Sequence, residues 1–156
     1  MTEEYRSADG RLLATVLRTG LMTGNGHRFV TAGDAVLQVG VLLAGKGAKL
    51  REHRHNDVER TTVGTAEVLF VVRGFVAISL PECERRPLIR IGNGDAVVIY
   101  PGTAHGVEML VDSLVLEVKS GPYAGQSMDK TFTEDAHGSV RSTEETDAGA
   151  VSGAGA

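Results

Sequence analysis

"REHRHNDVERTTVGTAEVLFVVRGFVAISL", residues 51–80, decides between helix and strand for the middle of this chain. His53 and His55 stand one residue apart. In a strand, residues two apart face the same side with Cα atoms about 6.5 to 7 Å apart, so both imidazoles can reach one ion in front of a sheet. A helix would need them four apart. "AKLREHRH" (48–55) has no helix-start signal; as a strand it gathers Lys49, Arg51, His53 and His55 on one face and Leu50, Glu52 and Arg54 on the other. Glu67 then heads the apolar run "EVLFVVRG", closed by Gly74, and "FVAISL" follows at once.

The same rhythm extends in both directions. Short Val-, Leu- and Ala-rich runs broken by Gly, Asn, Asp and Pro predict further strands in "HRFVT" (27–31), "AVLQVGVLLA" (35–44), "PLIRIG" (87–92), "DAVVIY" (95–100), "GVEML" (106–110) and "SLVLEVK" (113–119). Evenly spaced short strands predict an all-β sandwich or barrel. Helical spacing occurs in "RLLATVLR" (11–18), where Leu12, Leu13, Val16 and Leu17 fall on one side. The organisation expected is an N-terminal extension over 1–34, one β-domain over 35–133 and a disordered tail over 134–156, whose Gly, Ala, Ser and acidic residues bury too little surface to offset the entropy of ordering.

Composition narrows the function. The 156 residues carry a formal charge of −4 with no basic stripe, which argues against nucleic acid as a partner. The single cysteine, Cys83, excludes an internal disulfide and a thiolate zinc cluster, and fits a reducing compartment. An acidic N-terminus without an apolar signal core, and the lack of any long apolar run, predict a cytoplasmic protein with no membrane partner.

His105 follows the turn "YPGTAH", where Pro101 and Gly102 favour a tight bend. Three imidazoles and the Glu67 carboxylate make a mixed nitrogen and oxygen donor set that suits one divalent transition metal, Fe, Zn, Mn or Ni, better than Ca or Mg.

Gly47, five residues, His53, one residue, His55, then Glu67, six residues, Gly74 resembles the first signature motif of the cupin superfamily; "GDAVVIYPGTAH", Gly94 through His105, resembles the second. The resemblance covers roughly residues 35–120 and implies a small double-stranded β-helix, the jelly-roll barrel, with His53, His55, Glu67 and His105 as metal ligands. Eleven residues separate His55 from Glu67, more than the family's usual three or four, so Glu59 is the alternative carboxylate. Tyr100 stands where the second motif's turn usually begins with proline. "LQVG", "EVLF", "EVKSGPYAG" and a following "DK" narrow the likeness to small stand-alone cupins met beside carbohydrate or natural-product biosynthesis genes.

For a barrel site, strand alternation and loop position nominate Arg51, Arg60, Gln38, Arg73, Tyr100, Glu117 and Lys119 as substrate-binding residues. Inward arginines would favour an anionic substrate. The resemblance implies a metal-dependent enzyme for a small polar or anionic metabolite, by isomerase, lyase, oxygenase or heteroatom bond-forming chemistry. The alternative is a non-catalytic binding or sensing module that uses the metal as an anchor. Pairing of edge strands, with a strand from residues 1–34, would make it a homodimer.

Overall fold

The computed structural model describes residues 1–122 and 124–132. Its strands are β1 (Thr2–Arg6), β2 (Leu12–Leu17), β3 (Gly26–Phe29), β4 (Gly40–Leu43), β5 (Glu67–Arg73), β6 (Phe75–Ser79), β7 (Leu88–Gly92), β8 (Ala96–Ile99), β9 (Gly106–Met109) and β10 (Leu114–Lys119). A single helical turn, α1 (Gln126–Asp129), follows. The strands form a five-stranded sheet in the order β1-β2-β8-β5-β10, a three-stranded sheet β7-β6-β9 and a two-stranded sheet β3-β4. Every pairing is antiparallel. The chain is therefore all-β, and its packing is that of a sandwich.

At its inner strands both faces of the larger sheet are covered, which explains their composition. Val97 and Ile99 of β8 point into a core shared with Leu69 and Val71 of β5, Val76 and Ile78 of β6, and Ile89 and Ile91 of β7. Ala96 and Val98 point the other way, against Val39, Val41, Val68 and Phe70. A strand buried on two faces has no reason to alternate polar with apolar, so β8 is apolar throughout.

That double burial also corrects the helix expected over 11–18. Leu12–Leu17 is a strand between β1 and β8, and its run of apolar residues serves two faces of a sheet. So short a run fits either periodicity, and tertiary packing chose the strand. Residues 1–34, expected as an extension, thus supply two strands of the larger sheet and place Tyr5, Leu13, Ala14 and Val16 in the core.

Two further strand expectations are corrected. Within 35–44 only Gly40–Leu43 is extended and paired, and 48–55 forms no strand. Residues 44–64 are exposed throughout and carry no regular element. The face holding Lys49, Arg51, His53 and His55 offers no apolar stripe to bury, so nothing in the segment itself drives it onto a sheet. The tail assigned to 134–156 lies outside the described residues. Among the described residues no helix is long and apolar enough to cross a membrane.

Gly74 joins β5 to β6 at φ 112°, a backbone region that suits glycine, and a Cβ there would collide with Ser113. Its N–H donates to Asn93 Oδ1 at 2.7 Å.

Candidate functional site

Glu67 is the first residue of β5 and faces the main core, two positions before Leu69 and four before Val71. It is 8% exposed, unusual for a carboxylate and therefore in need of partners. His105 supplies one: its Nε2 donates to Glu67 Oε1 at 2.8 Å. The other ring nitrogen, Nδ1, lies 2.9 Å from the Thr103 carbonyl. The contact joins the sandwich halves, because Glu67 opens a strand of the larger sheet and His105 immediately precedes β9 of the smaller.

The turn that delivers His105 is braced from several directions. Thr103 Oγ1 donates to the Leu13 carbonyl at 3.2 Å. Ala104 N–H donates to Glu82 Oε1 at 3.1 Å. Arg11 binds the other Glu82 oxygen and reaches the Gly102 carbonyl at 3.4 Å. The imidazole is positioned by backbone and carboxylate contacts that a motif cannot encode.

Glu67 and His105 stabilise each other's charged forms. Burial opposes ionisation of Glu67, but the His105 hydrogen bond and the charges of His105, Lys119 and Lys130 outweigh it and hold the carboxyl below its ordinary range. The hydrogen bond to Glu67 raises His105 above the usual imidazole value, against the opposing effect of burial. Both are charged in mildly acidic solution.

On the opposite side of β5, Lys119 pairs in register with Glu67, with Nζ 3.7 Å from Glu67 Oε2 and 2.9 Å from Glu117 Oε1. Glu117 is therefore the partner of Lys119, while its own side chain remains largely in solvent.

His53 and His55 lie in the exposed 44–64 segment, with ring centroids 5.2 Å apart. His53 Nδ1 is 2.9 Å from the Arg51 carbonyl, the same bond to a carbonyl two residues upstream that His105 makes. The Nδ1 bond to a carbonyl is common in metal-binding histidines; in His105 the other nitrogen, Nε2, is taken by Glu67. The four expected ligands stand as two separate pairs, and among the described residues no group of three or more His, Cys, Asp or Glu is clustered as a metal would require. The donors suit a transition metal in kind, and Glu67 and His105 are in contact.

The nominated substrate-binding residues scatter. Arg51 and Arg60 are exposed on the long segment, as is the alternative carboxylate Glu59, and Arg60 donates to the Val58 carbonyl at 3.2 Å. Gln38 is exposed, and its amide ties down the preceding loop by donating to the carbonyls of Ala32 at 2.7 Å and Ala35 at 3.2 Å. Arg73 ends β5 in solvent. Tyr100 packs on the face of the larger sheet away from Glu67, its hydroxyl 3.2 Å from Thr15 Oγ1. Of the seven, Lys119 touches Glu67, with Glu117 next to it.

Sequence reasoning missed Glu82 and Arg11, which brace the turn from distant parts of the chain, Thr103, which ties the turn to the Leu13 carbonyl, and Lys130, whose charge reaches Glu67. No local pattern could have found the first three. A cleft of about 550 Å³ lies elsewhere, between the β1–β2 turn and Cys83–Arg86. Two of its arginines are already engaged: Arg86 stacks over the Tyr5 ring at 4.2 Å and Arg6 binds Glu4 at 2.7 Å, so the site is assigned to Glu67 and His105. Comparison with family models, curated proteins and solved structures finds no match.

Proposed function

We propose that the chain is a metal-dependent cupin acting on a small anionic metabolite, with Glu67 and His105 as the preformed half of its metal site and His53 and His55 as the half brought in by the 44–66 segment. The observation that carries this reading is the buried Glu67 carboxylate bonded across the two sheets to an imidazole whose other nitrogen is tied to backbone. Glu67 and His105 would hold a divalent ion in exchange for the proton they share. In the same reading the two larger sheets are the halves of a jelly-roll barrel. Connections as long as 44–66 without regular structure are uncommon in compact domains and are usually functional.

The chemistry supplied by such an ion is Lewis-acid polarisation of a bound carbonyl or, for iron, dioxygen activation. The chain's own part is to hold the ligands, exclude water beneath them with Leu69 and Val71, and fix the imidazole through the braced turn. A homodimer belongs to the same reading, supported by the open outer edge of β1.

Elemental analysis of the purified chain beside His53→Ala, Glu67→Gln and Glu59→Gln tests the proposal. About one equivalent of a first-row metal per chain, lost on changing His53 or Glu67 and kept on changing Glu59, is expected. Failure of the unmodified chain to take up Zn²⁺, Fe²⁺, Mn²⁺ or Ni²⁺ under any loading would overturn it and leave Glu67 and His105 as a structural ion pair.

A further inference from the structure

β9 pairs with β6 so that Val107 stands opposite Ile78 and Met109 opposite Val76. Residues paired across antiparallel strands point to the same face, so Val107 and Met109 point toward the core between the sheets, as Ile78 and Val76 do. Yet Ile78 and Val76 are fully buried, whereas Val107 is 41% and Met109 53% exposed. His105 stands just before β9, and its imidazole meets the core-facing carboxylate of Glu67. Imidazole, valine and methionine thus follow one another along one side of an open slot.

The other side is the core face of β10, with Val115 and Glu117. β9 and β10 are both edge strands, and residues 110–113 join them at one end, where Leu110 N–H donates to the Phe75 carbonyl at 2.9 Å and Phe75 N–H to Ser113 Oγ at 3.2 Å. Glu117 has Lys119 as its partner at 2.9 Å, so the charges of this wall are paired within the chain. What stands uncovered on the facing wall is apolar.

The shape of the slot selects its occupant. Sheets of a sandwich stand about 10 Å apart, room for one layer of side chains, so a second folded copy cannot enter between them. The 44–64 segment offers Leu50, Val58 and Val63, too far apart in sequence for two of them to fill neighbouring positions. An acyl chain or an aromatic ring fits between the walls and removes both exposed side chains from water.

We infer that Val107 and Met109 form the apolar wall of the ligand slot, and that the small molecule held at the Glu67 and His105 end carries an acyl or aryl body that lies along β9. The inference rests on the site proposed above and adds the apolar part of the ligand and the residues that select it.

The test is calorimetric titration of acetate, butyrate, hexanoate and octanoate into the zinc-loaded full chain, beside Val107→Thr, Met109→Gln and, as a control on the outer face of β10, Leu116→Gln. In the parent each added methylene is expected to raise affinity about twofold to fourfold. The gain per methylene should shrink in Val107→Thr and Met109→Gln and persist in Leu116→Gln, while zinc affinity and circular dichroism stay unchanged in all three. Affinity that does not grow with chain length, or grows equally in every variant, overturns the inference even with zinc bound. A slot already filled by the 44–64 segment would show as faster tryptic cleavage at Arg51 in the two slot variants, and one filled by a second copy as a sedimentation mass that falls in them; either result overturns it. If the chain takes no metal, butanol, hexanol and octanol are titrated into the metal-free protein: a gain with length that depends on Val107 and Met109 supports this inference although the metal reading has failed, and no gain overturns both.

Discussion

His105 and His53 bond their Nδ1 atoms alike, yet one stands in a turn braced by Leu13, Glu82 and Arg11, and the other on a segment exposed from end to end. The difference lies in what surrounds them. The turn follows a doubly buried strand and is held by groups from two other places in the chain. Residues 44–64 have no apolar face and no partner strand. The Glu67–His105 pair is thus built by folding, whereas His53 and His55 stand in solvent.

The most severe way to break this contrast is by core substitution. Ile99→Ala, at the end of β8, should destabilise by about 2 to 5 kcal/mol in urea unfolding, whereas Val63→Ala, on the exposed segment, should stay within about 0.5 kcal/mol. A comparable cost at Val63 would mean that the segment packs against the domain in solution.

Metal should sharpen the contrast by abolishing it. Trypsin is expected to cut the metal-free chain at Arg51, Arg54 and Arg60 well before the strands, and Zn²⁺ should protect those bonds in the parent but not in His53→Ala. Peptide mapping by mass spectrometry reads the outcome directly. Protection that survives the loss of His53 would remove that residue from the site.

The smallest effect concerns the preformed half alone. Glu67 titrates lower in the folded state than its ordinary 4.5, so its contribution is present above that value and lost as pH falls through the lowered pKa. His105 titrates higher than 6.5, so its contribution is present below that value and lost as pH rises through the raised pKa. The pair should therefore add roughly 1 to 2 kcal/mol around pH 5 to 6 and fade on both sides, a maximum that Glu67→Gln flattens in thermal melts. In the proposed site zinc would compete for the same imidazole proton, so its affinity should climb with pH across His105's titration by about tenfold per unit.

How far the sequence went follows the same division. Eight of the nine runs read as strands hold one, 35–44 over Gly40–Leu43 alone, because Val-rich stretches between Gly and Asn turns are local signals. β2 was hidden because burial on two faces erases alternation. The stretch 48–55 misled in the opposite direction: alternation placed both histidines on one face, but a face of Lys, Arg and His gives no burial energy to hold it. Glu67 and His105 were legible, one from its place at the head of an apolar run and the other from the turn before it. The braces Glu82 and Arg11 were not, since their meaning depends on a contact made across distant parts of the chain.

The burial of β8 on both sides has a dynamic consequence. Its amides should be among the last to exchange with solvent deuterium, at the free energy of global opening, while those of the long exposed segment exchange almost freely. The turn carrying His105 begins directly after β8 and inherits its persistence. Motion of the 44–64 segment therefore leaves the contact between Glu67 and His105 in place.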